Sequence, residues 1–185
     1  HKKDYNTDLV LMSDIKVGNT CNFACVMCNP TDSSMIYNNW IKNQSSPFVQ
    51  EYLRDDPLYL EKAKATGYKQ SKYREYVDSA VLSNKHIKMI KILGGEPLLD
   101  QKLMEQLYSI PKDRKNKITL QLVTNGSLNL LKRSKQFKDF KYLKYCVSLE
   151  GISEAQDYAR HGSNWSILEP NILEQLEYDK SSVTI

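Results

Sequence analysis

A strand, a glycine-bearing turn and then a helix recur along this chain, and that order restricts the fold more than any other feature. Residues 87–93 (IKMIKIL) read as a buried strand that ends at Gly94-Gly95-Glu96-Pro97, with a helix over about 100–109 behind it. Residues 118–123 (ITLQLV) form the next strand, ending at Thr124-Asn125-Gly126 before a helix over 128–138. Residues 145–149 (YCVSL) form another, ending at Glu150-Gly151, with helical segments over about 153–160 and 167–178. Val183 opens a further strand, and residues 14–17 form an early one closed by Gly18-Asn19-Thr20. Such alternation predicts an α/β fold with a parallel sheet and helices outside it. Polar residues follow each strand's C-terminal end. Both (β/α) barrels and doubly wound sheets bind ligands there, so element order alone does not choose between them.

Thr31-Asp32-Ser33-Ser34 offer N-caps for a first helix through about Gln44, which Ser45-Ser46-Pro47 break. Residues 48–85 read as two further helical pieces separated near Gly67, rich in Tyr and Lys with nearly balanced charge. They make a helical insertion, 45–85, within one domain spanning 1–185. That length can bury a sizeable core. The apolar runs are too short to span a membrane. The basic start HKKDYNTDLVLMSD is not followed by the apolar stretch of a signal peptide. His1 at one end and a strand just beginning at the other suggest a piece of a longer protein. The net charge of +4 implies no partner by itself. Ten Lys or Arg lie between Lys112 and Lys144 against only Asp113 and Asp139. Aromatic residues are not interleaved there as a base-stacking surface requires, so the stretch reads as a solvated face rather than a nucleic-acid site.

Of four cysteines, three lie within eight residues: Cys21-Asn-Phe-Ala-Cys25-Val-Met-Cys28. A disulfide scaffold would use more cysteines and spread them out, so the cluster points to a metal or redox site in a reducing compartment. Three thiolates on one loop can wrap one compact centre, and thiolate suits iron–sulfur clusters and zinc. A [4Fe–4S] cluster usually takes four cysteines, so three would leave one iron open to another ligand. Three rival readings stay open at this level. The cysteines could be small buried hydrophobes. Cys25 and Cys28 could be a redox dithiol, which leaves Cys21 unexplained. Zinc could bind with Cys146 or His86 as fourth ligand, although Cys146 alternates with Val147 in a strand and reads as core.

The order strand, C-x3-C-x2-C, strand, GGEP, strand, TNG, strand, S-x-E-G resembles the radical S-adenosylmethionine (SAM) superfamily, from about Asp14 to the end. Within it, the chain is similar to the branch carrying SPASM or twitch auxiliary-cluster domains, where a phrase Y-x-R-x-G-x-x-W also recurs. Tyr158-Ala-Arg160-His-Gly162-Ser-Asn-Trp165 matches that phrase. The resemblance implies a partial (β/α)6 TIM-like barrel, here truncated near strand 5, with the helical insertion after the first helix. It implies that Cys21, Cys25 and Cys28 hold a [4Fe–4S] cluster whose fourth iron chelates SAM. Gly94, Gly95 and Glu96 would then receive the SAM amino group, Ser148 and Glu150 the ribose, and Arg160 the carboxylate, for which its planar fork is well shaped. Met27 would offer a backbone contact to adenine, and Thr124 and Asn125 complete the expected SAM-binding set. Two departures stand out: Glu150 replaces the usual Asp, and Met27 replaces an often aromatic residue.

The implied reaction is reductive cleavage of SAM to a 5′-deoxyadenosyl radical, which abstracts hydrogen from a substrate, with a peptide or protein side chain suggested by the branch. The implied setting is the cytoplasm, with an electron donor such as flavodoxin or ferredoxin and no membrane. The residues alone support part of this. In a strand over 145–149, Tyr145, Val147 and Leu149 share the face toward the helices, while Cys146, Ser148 and Glu150 share the other. A glutamate there needs a partner or the open rim. Plainer readings compete: Ser148 as a satisfied core hydroxyl, Glu96 as a helix cap, and Thr124-Asn125 as turn residues beside a positive-φ Gly126. Rival functions are a non-catalytic iron–sulfur or zinc module and a thiol redox protein using Cys25 and Cys28.

Overall fold

A computed structural model describes residues 10–68 and 84–185. In chain order the elements are β1 (Met12–Lys16), β2 (Ala24–Cys25), α1 (Ser34–Lys42), α2 (Pro47–Asp55), α3 (Tyr59–Tyr68) and β3 (Met89–Leu93). A 3-10 turn (Pro97–Leu99), α4 (Gln101–Ser109), α5 (Lys112–Lys115), β4 (Thr119–Thr124), α6 (Leu130–Gln136) and β5 (Tyr142–Val147) follow. The chain continues with α7 (Glu154–Ala159), β6 (Arg160–His161), α8 (Trp165–Tyr178) and β7 (Val183–Thr184). Five strands make one parallel sheet in the order β1-β3-β4-β5-β7. Each new strand adds on the same side, so the sheet lacks the reversal that marks a doubly wound fold. β2 and β6 form a separate antiparallel ribbon.

Side-chain alternation explains the layering. Ile15, Ile90, Ile92, Leu120, Leu122, Tyr145 and Val147 are buried on the face that packs with the helices. The other face is polar and partly open. One register row across it reads Asp14, Lys91, Gln121 and Lys144, with Lys91 Nζ 3.1 Å from Asp14 Oδ2. The helices start where capping chemistry dictates. Ser33, Ser46, Asp100, Asn129 and Asn164 each accept a first-turn N–H with the side chain. Among the described residues no helix is long and apolar enough to cross a membrane.

Several sequence expectations are corrected. A break within the insertion at residues 56–58 was not expected, while the expected separation near Gly67 falls where the described residues end, α3 running to Tyr68. Asp56 Oδ1 accepts the Leu58 N–H at 3.2 Å around Pro57, a side-chain-stabilised turn. The later part of the expected insertion, 69–83, lies outside the described residues. β5 starts three residues earlier than expected and stops at Val147, because backbone pairing to β4 overrides the lysine-rich composition of residues 141–144. Ser148 and Glu150 therefore follow the strand instead of lying within it. Cys146 is half-buried on the polar face, not in the core. The ribbon of β2 and β6 was not anticipated.

The basic stretch is partly structural. Lys115 is buried and donates to the Tyr108 carbonyl at 2.8 Å, Arg133 donates to Leu98 O at 3.3 Å, and Arg114 donates to Asn84 O at 2.7 Å.

Among the described residues Tyr145 is the largest fully buried side chain; its hydroxyl donates to Leu130 O at 3.2 Å, and burial pushes its phenol well above the usual range. Tyr145→Phe removes this bond and the hydroxyl that accepts from Ser134 Oγ at 3.2 Å. It is expected to cost about 1–2 kcal/mol in urea denaturation with an unchanged slope.

Candidate functional site

The turns that follow β1, β3, β4 and β5 meet above one end of the sheet. The cysteine loop follows β1 and is pinned by the start of α1. Ser33 Oγ donates to Phe23 O at 2.6 Å, the Cys21 N–H donates to Ser34 Oγ at 3.1 Å, and Asn19 Nδ2 donates to Pro30 O at 3.1 Å. The GGEP turn follows β3. Its Glu96 N–H donates to Thr20 O at 2.7 Å, which sets it against the cysteine loop. Gly95 has φ +48, and a side chain there would overlap the Thr20 carbonyl.

Glu96 is 1% exposed, and both its oxygens are occupied. Oε1 accepts from the Leu98 N–H at 3.1 Å and the Thr124 hydroxyl at 2.9 Å, and Oε2 accepts from the Asn125 N–H at 2.6 Å. It thus caps the 3-10 turn and ties the ends of β3 and β4 together. Burial, only partly offset by these donors, raises its carboxyl above the ordinary glutamate value. Asn125 continues the chain of contacts, its Nδ2 donating to Asn22 Oδ1 at 2.9 Å inside the cysteine loop.

A cavity of about 220 Å³ opens between these turns. Cys21, Cys25, Cys28, Met27, Gly95, Thr124, Asn125, Ser148 and Arg160 all line it. Of the residues singled out in the sequence, Gly94, Glu96 and Glu150 do not. Gly94 packs under the turn against Lys16 and Gly18. Glu150 stands at the rim, half-exposed, with Oε1 2.7 Å from Arg160 Nη2. Arg160 reaches the cavity because β6 pairs with β2, setting Arg160 opposite Cys25. Its Nη1 lies 3.7 Å from Cys25 Sγ, and its buried Nε has no partner.

Burial raises the pKa of all three thiols, and each of Cys21 and Cys28 also feels the charge of Cys25. At Cys25 the Arg160 guanidinium opposes the rise. Raised thiols are the reverse of an activated redox dithiol. Among the described residues no group of three or more His, Cys, Asp or Glu is placed to hold one metal ion. A lone zinc needs thiolates converging at about 2.3 Å. A four-iron cluster gives each thiolate its own iron and suits three sulfurs around one cavity. His86 is exposed before β3, at the sheet's other end, and Cys146 does not line the cavity.

Two contributors lie outside the residues singled out in the sequence. Asn22 bridges Asn125 and Ser127, accepting from one and donating to the other at 3.0 Å. Gln156, 0% exposed, accepts the Glu150 N–H at 2.8 Å and shapes the turn after β5. Asn22, a lone amide among the cysteines, was a readable signal; Gln156 carried none.

Gly95→Ala is expected to lose about 1–3 kcal/mol of thermal stability through backbone strain alone. Glu96 titration has a definite sign. The folded chain holds this proton more tightly than the unfolded one, so its contribution to stability falls as pH rises above the ordinary glutamate range. The stability difference between wild type and Glu96→Gln should therefore shrink from about pH 4 to about pH 8 in urea melts. A constant or growing difference contradicts this.

The profile of the Radical SAM superfamily matches residues 15–172. The chain is also similar to GTP 3′,8-cyclase from Staphylococcus saprophyticus subsp. saprophyticus, with 28% identity over 165 residues. That match covers 89% of this chain, which spans 40% of the relative's length. The matched span takes in the cysteine loop, the turns after β3, β4 and β5, and Arg160, so the chain belongs to the radical SAM superfamily of enzymes.

Proposed function

We propose that this chain forms the SAM-cleaving part of a radical SAM enzyme. The observation that carries it is the gathering of Cys21, Cys25 and Cys28 around one cavity walled by Gly95, Thr124, Ser148 and Arg160. The three cysteines would hold a [4Fe–4S] cluster. When bound, that cluster supplies the single electron whose transfer to SAM yields methionine and a 5′-deoxyadenosyl radical, the hydrogen abstractor.

The chain's own residues orient and enclose. Glu96 has its oxygens committed to Leu98, Thr124 and Asn125, so its task is to fix the turn. In this reading the SAM amino group is received chiefly by carbonyls of the turn at Gly94 and Gly95. Ser148 and Glu150 bound the ribose side, and Met27 offers its backbone toward adenine. Arg160 keeps an unpartnered Nε, which leaves it donor capacity for the SAM carboxylate.

Finer readings have their own support. The unidirectional strand order and the polar face of the sheet fit an arc of a (β/α) barrel with a polar lumen. The match of Tyr158 to Trp165 supports the SPASM or twitch branch, and with it a peptide or protein substrate. The similarity to a GTP 3′,8-cyclase favours a nucleotide as the second reading. An oxygen-sensitive cluster would need a reducing cytoplasm and a donor such as flavodoxin or ferredoxin.

Anaerobic reconstitution followed by incubation with SAM and a chemical reductant is expected to give 5′-deoxyadenosine. Cys21→Ala, Cys25→Ala and Cys28→Ala are each expected to reduce product by more than about 100-fold, since each removes a cluster ligand. A four-iron cluster with no 5′-deoxyadenosine would favour the non-catalytic module. Acceleration by GTP would favour the nucleotide reading over the peptide one.

A further inference from the structure

We propose that Arg160 is a positioning residue that raises the reduction potential of the cluster by donating an N–H hydrogen bond to the sulfur of Cys25. The inference rests on the iron–sulfur reading above and adds a control over when the centre accepts an electron.

The backbone builds this contact deliberately. β2 and β6 pair antiparallel with Cys25 opposite Arg160, and the Val26 N–H donates to Ala159 O at 2.9 Å beside them. Close approach of the ribbon depends on Gly162, which has φ +98; a Cβ there would meet Asn22 O at 3.0 Å and crowd the Phe23 ring. The guanidinium is then fixed from two sides. Nη2 lies 2.7 Å from Glu150 Oε1, and Nη1 lies 3.7 Å from Cys25 Sγ. With 14% of the side chain exposed, solvent and salt screen this charge weakly.

The three sulfurs are not equivalent. Cys21 Sγ accepts backbone N–H groups, that of Phe23 at 3.5 Å and that of Asn22, and Cys28 has only the backbone of Asn29 beside it, donating to its carbonyl at 3.8 Å among the described residues. Among the described residues, Cys25 alone of the three has a charged donor. Hydrogen bonds and positive charge at a cluster thiolate favour the reduced state, because reduction adds negative charge to the sulfurs. A guanidinium is suited to this task, since it stays charged and its fork serves sulfur and carboxylate together. Glu150 is one methylene longer than the aspartate expected from the resemblance, and that reach lets it brace Arg160 from the rim.

The test is an EPR-monitored redox titration of the full chain, reconstituted anaerobically, without SAM. Omitting SAM removes any contribution from a carboxylate contact. Arg160→Met removes donor and charge at similar volume. Its one-electron reduction equilibrium should shift at least about tenfold toward the oxidised state, about 59 mV more negative. Arg160→Lys keeps the charge without the fork and should lie between the two. Iron content per chain should stay near wild type. A merely structural clamp predicts the opposite pattern: fewer clusters formed, at an unchanged potential. Should Arg160→Met take up no iron, Arg160→Lys decides, and a wild-type potential there overturns the proposal. Equal potentials in all three proteins overturn it while leaving the iron–sulfur reading intact. A wild-type chain that forms no cluster overturns that reading and this inference with it.

Discussion

One buried carboxylate holds the functional end of this molecule together. Glu96 sits among donors from three places: its own turn at Leu98, the hydroxyl of Thr124 and the main chain of Asn125. Its backbone N–H meanwhile grips the loop after β1 through Thr20. Removing a carboxylate from water is costly, and the surrounding donors offset part of that cost. Satisfied as it is, the group fixes three chain segments distant in sequence. The walls of the cysteine cavity inherit their positions from it, directly at Gly95 and Thr124 and through Asn125 at the cysteine loop.

Much of this was legible in the sequence, for identifiable reasons. Runs such as Ile90 to Ile92 and Leu120 to Leu122 announce strands because burial on a pleated sheet imposes alternation. The glycine-bearing turns announce strand ends because positive φ is needed there. The cysteine spacing announces a shared centre because thiolates are costly to assemble for any other purpose. The illegible parts are those that local patterns cannot encode. A two-residue ribbon such as β2 with β6 is too short to carry a period. Gln156 looks like any helical glutamine until the turn after β5 folds over it. Glu96 carried two readings, cap and ligand partner, and only the three-dimensional arrangement shows that capping at Leu98 and the tie to Thr124 and Asn125 together occupy both oxygens.

Glu150 shows how a departure from a family pattern can be compensated. An aspartate at that position would fall short of Arg160 by a methylene. The longer side chain forms an ion pair that spans the rim and steadies a guanidinium lying against Cys25. Substitution and neighbour therefore have to be read together, because the meaning of one carboxylate depends on which cation it reaches.

The row Asp14, Lys91, Gln121 and Lys144 runs across the sheet face opposite the one packed against α4, α6 and α8. Because the apolar packing that stabilises the domain lies on the opposite face, this row contributes little to holding the chain folded. Evolution can rewrite its charges at small cost to the scaffold. The same framework can thus change the charge of this face while the end that carries the cysteine cavity stays fixed.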